Sequence, residues 1–109
     1  MIQVLLELND NQFESLKISG HQKTTQDLAL VCNSVSILGQ NFVESLLVLT
    51  PNSKYLVNSQ SGLLEIKTQS RNKGDQLISD TLVKSFLIGI EKIKRTYIDE
   101  VQLNLSTSS

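Results

Sequence analysis

Residues 28–46 read LALVCNSVSILGQNFVESL. Leu28, Val31, Cys32, Val35, Leu38, Phe42 and Leu46 recur three and four positions apart, the spacing that lines one face of an α-helix. Asp27 is a plausible N-terminal cap, with Thr24 and Thr25 able to serve instead. Pro51 ends the helix at or before Thr50, because the residue preceding a proline is pushed out of the helical region.

Upstream of this helix the period is two. Ile2, Val4, Leu6 and Leu8 alternate with Gln3, Leu5 and Glu7, which predicts a strand with one buried face. Asn9-Asp10-Asn11-Gln12 is a cluster of turn formers, and Leu16 and Ile18 then resume the alternation, so the chain opens with a hairpin. Ser19 to Asp27 is polar and predicts an exposed loop. Downstream, short β-like runs at Lys54–Asn58 and Leu63–Lys67 flank Ser59-Gln60-Ser61-Gly62, a second hairpin signal. Thr68–Gly74 reads as a polar loop.

A second helix is predicted from about Asp75, with Ile78, Leu82, Phe86, Gly89, Ile90, Ile93 and Tyr97 on its apolar stripe. Asp80 with Lys84 and Glu91 with Arg95 stand four apart on its outer surface. Gly89 in mid-helix suggests close approach of another backbone. Val101, Leu103 and Leu105 alternate as a last strand. The order β-β-α-β-β-α-β predicts an α+β fold: two β-β-α units and a final strand, with the helices on one mixed or antiparallel sheet. A single domain over residues 1–105 is expected, with 106–109 a disordered tail.

The 109 residues fit one core and not a multidomain enzyme. Ten Lys and Arg against eleven Asp and Glu exert no long-range pull on phosphate backbones, which argues against direct nucleic-acid binding. Lys67, Arg71 and Lys73 form only a small basic patch. With one cysteine and one histidine, neither an internal disulfide nor a four-ligand structural zinc site is expected. No apolar run approaches the roughly 18 residues that span a bilayer, so no membrane partner and a cytoplasmic location are expected. Phosphate-binding loops, dinucleotide glycine fingerprints and nucleophile elbows are absent from the sequence.

One pair of reactive side chains remains, His21 in the polar loop and Cys32 near the start of the first helix. A free thiol with a pKa of about 8.5 is about 3% ionised at pH 7, and bringing such a group to about 6 takes roughly 3.4 kcal/mol. A helix N-terminus supplies about 0.3–1 kcal/mol and at most about 2, so the dipole alone falls short, and a protonated imidazole close by could supply the rest. On this reading, backbone N–H groups at the helix start hold the oxyanion of a tetrahedral intermediate. The plainer alternative places Cys32 in the core, since free cysteines are among the most buried residues, and leaves His21 an ordinary loop residue. By the same reasoning Asp27 is a cap, and Ser36 satisfies a backbone carbonyl.

Ser19-Gly20-His21, then Val31-Cys32 opening a helix, then Val35-Ser36, resembles the ribosomal-processing cysteine protease family of bacteria. The order of elements is similar over about residues 1–105, and Leu82-Val83 through Leu87-Ile88-Gly89-Ile90 resembles the family's C-terminal half. The resemblance implies a cysteine endopeptidase that removes the N-terminal extension of large-subunit ribosomal protein twenty-seven. His21 would be general base and acid and Cys32 the nucleophile. Gly20 would let the loop pass close to the peptide, and Ser36 would support the helix beside the site. A homodimer is implied, with no cofactor and no metal. In the family a small residue usually follows the histidine, glycines occur in the loop, and an acid stands three residues before the cysteine. Here those places hold Gln22, Lys23-Thr24-Thr25-Gln26 and Ala29, which leaves Asp27 as the nearby acid. The rival expectation is a non-catalytic, ribosome-associated binding or assembly module of the same fold.

Overall fold

The computed structural model describes residues 1–20 and 26–108, with helical side chains described from Leu30 onward. Strands β1 (Ile2–Asn9) and β2 (Gln12–Gly20) precede helix α1 (Gln26–Leu49). Strands β3 (Lys54–Gln60) and β4 (Leu63–Ser70), a short 3-10 turn at Lys73–Asp75, helix α2 (Gln76–Thr96) and strand β5 (Val101–Ser108) follow. The predicted α+β order is therefore the observed one. The five strands form one sheet in the order β3-β4-β2-β1-β5. All neighbours are antiparallel except β1 and β5, which run parallel, so the sheet is mixed.

Both hairpins turn where the sequence places them. Asp10 and Asn11 have φ of 52° and 62°, a left-handed pair for which Asx residues are suited. The second turn narrows to Ser61-Gly62, between the paired residues Gln60 and Leu63, with Gly62 at φ 79°. Period-two patterning sorts the faces. Leu6, Leu16 and Ile66 share one transverse row and are fully buried. The opposite face carries the row Asn58–Glu65–Lys17–Leu5–Asn104, which is polar apart from Leu5.

Both helices cover the apolar face. Phe42 of α1 touches Phe86 of α2, with ring centroids 5.2 Å apart, and Phe13 of β2 at 5.2 Å in an edge-on arrangement. A side chain at Gly89 would meet Leu38, four residues before Phe42, so the two helices run antiparallel. The close neighbour at Gly89 is thus a leucine side chain of α1 and not another backbone. Gly39 brings α1 against the sheet: a Cβ there would lie 2.6 Å from Ile18 Cδ1 and 2.9 Å from Leu64 Cδ2. Buried Thr50 pins the end of α1. Its hydroxyl donates to the Leu46 carbonyl at 2.5 Å and lies 2.7 Å from the Tyr55 hydroxyl on β3.

Several expectations are corrected. Residues 106–108 are not a disordered tail, because β5 continues beside β1 and pairs Ser108 with Asn9. A further bond from the Asp10 N–H to the Ser108 carbonyl closes that end, and Ser109 lies outside the described residues. Polar side chains at an exposed sheet edge hide a strand whose partner fixes it through backbone bonds. Strand β4 likewise runs to Ser70, into the stretch expected to be a loop. On α2, Val83 is buried while Ile78 is 39% exposed, so the stripe sits slightly off the expected face. Neither Asp80–Lys84 nor Glu91–Arg95 forms an ion pair. Among the described residues the ion pair is Glu14–Arg71, and Arg71 also donates to the Phe13 carbonyl at 2.9 Å.

Candidate active site

One end of the sheet opens into a groove between the N-terminal half of α1 and the tip of the β3–β4 hairpin. Helix α1 contributes Cys32, Asn33, Val35, Ser36 and Gln40. Strand β2 contributes Ile18, Ser19 and Gly20, and the hairpin contributes Ser59, Gln60 and Gly62 to Leu64. The floor is apolar and the rim carries hydroxyls and carboxamides. That mixture suits a peptide, whose side chains need apolar contact while its backbone needs hydrogen-bonding partners.

Cys32 is half-buried, a free thiol that packs on the core with one side and opens to the groove with the other. Its place in the helix differs from the expectation. Counted from Gln26 it is the seventh residue of α1, in the second turn. Only the first four N–H groups of a helix lack intrahelical acceptors, and the dipole effect fades within the first turn. The N–H of Cys32 is therefore engaged inside the helix and is not a free donor beside its sulfur. Asp27 is also not the cap, since it lies inside α1; Thr24 and Thr25 lie outside the described residues.

Gly20 lines the same groove and closes it from the sheet side. Its N–H donates to the Gly62 carbonyl at 3.2 Å, and a Cβ on it would stand 3.2 Å from the Ile2 Cα and 3.3 Å from the Met1 carbonyl oxygen. A Cβ on Gly62 would in turn be 3.2 Å from the Gly20 carbonyl oxygen. These two glycines let the end of β2 and the hairpin tip meet. The tight approach at Gly20 is thus to Ile2 and Met1. His21 follows Gly20 directly in the chain and lies outside the described residues.

Ser36, one turn below Cys32, is exposed on the groove rim and accepts a 3.3 Å hydrogen bond from the Gln40 carboxamide. Among the described residues the expected bond from Ser36 to a backbone carbonyl is not present. Cys32, Gly20 and Ser36 therefore meet in one groove. The sequence reading missed Asn33, Gln40, Gly62 and the β3–β4 tip; the turn signal at Ser61-Gly62 located that tip but said nothing of what it would face. Among the described residues no cluster of three or more His, Cys, Asp or Glu side chains is arranged to hold a metal ion. No described helix is long and apolar enough to cross a membrane.

Residues 1–102 match the family described as cysteine protease Prp. A comparison with curated proteins returned no match. Among solved structures, SMU.848 from Streptococcus mutans superposes with a TM-score of 0.81 at 26% identity, over 99% of this chain and 96% of that one. The essential ribosomal processing protease Prp from S. aureus in complex with a substrate peptide gives a TM-score of 0.78 at 19% identity, over 97% of this chain and all of that one. The same S. aureus protease with a covalently linked product peptide gives 0.77 at 20% identity. At these identities the S. aureus likeness speaks for the fold.

Proposed function

The chain belongs to the cysteine protease Prp family, and from that premise we propose that it is a thiol endopeptidase in which Cys32 is the nucleophile and His21 the general base and acid. The observation that carries the reading is the position of Cys32. It faces an open groove from α1 while Gly20, the residue before His21, lines the groove from β2.

His21 takes the thiol proton, and the Cys32 sulfur attacks the scissile carbonyl to give a tetrahedral oxyanion. As the intermediate collapses, the C–N bond breaks, the imidazolium protonates the departing amine, and a thioester remains on Sγ. Water, deprotonated by His21, attacks the thioester; the second tetrahedral species expels the sulfur, which is returned to its starting state. Since the second-turn position of Cys32 commits its own N–H to the helix, oxyanion stabilisation is assigned to rim donors, of which Ser36 and Asn33 stand nearest in the helix. It also leaves the imidazolium of His21 as the main positive charge available to the thiolate. Asp27, in the opening turn of α1, is the acid assigned to support that imidazole. No metal or cofactor enters these steps.

The substrate proposed is the precursor of large-subunit ribosomal protein twenty-seven, cut at its N-terminal extension, by a homodimer acting in the cytoplasm. Support comes from the family and from the groove's apolar floor and hydrogen-bonding rim. Incubation of the purified protein with the organism's extended precursor under reducing conditions is expected to give a truncated product, and Cys32→Ala to give none. A stable complex with uncut precursor, unchanged in Cys32→Ala, would instead establish a binding module.

A further inference from the structure

We propose that Gln40 is a positioning residue that fixes the direction of the Ser36 hydroxyl, so that Ser36 donates its proton to the substrate's carbonyl oxygen in the groove. The inference rests on the reading of this groove as a peptide-cleaving site, and deepens it by one residue.

Cys32, Ser36 and Gln40 stand at i, i+4 and i+8 of α1, and all three line the groove. A serine hydroxyl has one proton to give and two lone pairs to accept with. In a helix the proton usually goes to the carbonyl four residues back, and here Ser34 donates to Leu30 at 2.9 Å, Thr81 to Leu77 at 2.8 Å and Thr96 to Lys92 at 2.9 Å. For Ser36 that carbonyl would be the one of Cys32, and among the described residues no such bond is present. Ser36 instead accepts from Gln40 Nε2. Because a primary amide nitrogen can only donate, this bond commits a lone pair and leaves the proton available to the groove. The backbone N–H of Cys32 is committed to the helix, so an outward-pointing hydroxyl one turn away supplies a donor where oxygen charge develops.

Two variants separate this from packing. Gln40→Glu keeps the shape, but a carboxylate only accepts, so it draws the Ser36 proton away from the groove. Gln40→Met removes the bond and leaves the hydroxyl free to rotate. With the precursor as substrate, Ser36→Ala is expected to lower kcat roughly a hundredfold, in the range of a lost oxyanion donor. Gln40→Glu should lose roughly tenfold or more, mainly in kcat, while Gln40→Met loses only about two- to threefold. In the Ser36→Ala background, Gln40→Glu should add nothing, because its effect passes through that hydroxyl.

Equal activity of the Glu and Met variants overturns the proposal, as does a Gln40→Glu loss that persists without Ser36, since the new charge would then be acting directly on the dyad. Either result leaves the protease reading intact. If the wild type does not cut the precursor, the same variants are compared by affinity for a peptide aldehyde, whose hemithioacetal oxygen on Cys32 takes the place of the oxyanion. The same ranking supports the proposal. Absence of any Cys32 adduct overturns it together with the protease reading.

Discussion

Replacing Gly39 with alanine sets two effects of opposite sign against each other. Alanine is the better helix former by about 1 kcal/mol in a helix interior, and if nothing else mattered the substitution would stabilise the protein. With an unfolding entropy of about 2.1 cal/mol/K per residue, the 109 residues give about 0.23 kcal/mol/K, so that gain corresponds to a Tm increase of about 4 °C. The structure predicts the opposite. The added carbon would sit 2.6 Å from Ile18 Cδ1 and 2.9 Å from Leu64 Cδ2, both inside the range where something must move. Both contacts are side-chain ends, but Ile18 is 8% exposed and held in the core and Leu64 packs against it, so the two have to give way together and moving one does not relieve the other. Overpacking of this kind costs about 1–3 kcal/mol. Set against the helix gain, the net is a loss of about 1 kcal/mol and a fall in Tm of about 4 °C. Differential scanning calorimetry separates the two outcomes by about 8 °C. Gly89→Ala is the internal control: its new carbon meets only the end of half-buried Leu38, at 2.8 Å, and should come out closer to neutral. A Tm rise of about 4 °C in Gly39→Ala would refute the close approach of α1 to the sheet. Because Ile18 and Leu64 also line the groove, the same variant should raise KM for peptide cleavage.

Three further outcomes are expected. Cys32, half-buried and open to the groove, should react with a small alkylating reagent in the native protein within minutes; labelling only above the unfolding transition would mean a sealed core thiol. Tyr55→Phe removes one of the two partners of the buried Thr50 hydroxyl and should cost about 0.5–1.5 kcal/mol by urea denaturation, whereas Thr50→Val also strands the Tyr55 hydroxyl and should cost more. Deleting residues 106–109 removes the pairing of Ser106–Ser108 with Glu7–Asn9 and should lower Tm and speed amide exchange at Asp10; an unchanged exchange rate there would return these residues to the status of a tail.

The order of elements was legible because each element carries its own period: the alternation at Ile2–Leu8 and the three-and-four spacing at Val31–Leu46 survive into buried strand and buried helix. Strand order was not legible, since β1 and β5 lie more than ninety residues apart at their starts and their parallel pairing is made by backbone groups that every residue has. The site was legible only where chemistry marks a residue. Cys32 and Gly20 could be singled out from a resemblance, but the groove's far wall comes from Ser59–Leu64, brought in by sheet pairing with no local sign of its destination. Placing Cys32 at the helix start failed for a related reason. Several polar residues before Leu28 were each competent to cap, so the pattern fixed the helix's face and left its first turn undetermined.

The second-turn position of Cys32 has a mechanistic consequence. A sulfur in the first turn would be helped by unpaired N–H groups that any sequence supplies. A sulfur in the second turn depends on side chains, and so on the particular residues at 33, 36 and 40 and on how closely α1 lies against β2 and β4. Gly39 sets that approach from the same helix that carries Cys32, Ser36 and Gln40. A substitution that lifts α1 therefore moves the nucleophile and its rim donors together relative to the Gly20–Gly62 wall, so the catalytic defect should grow with side-chain volume at position 39. Alanine, valine and leucine there should lower kcat/KM in that order and by more than their effect on Tm predicts. A series in which activity simply follows the folded fraction would mean that the groove wall and the helix move as one body.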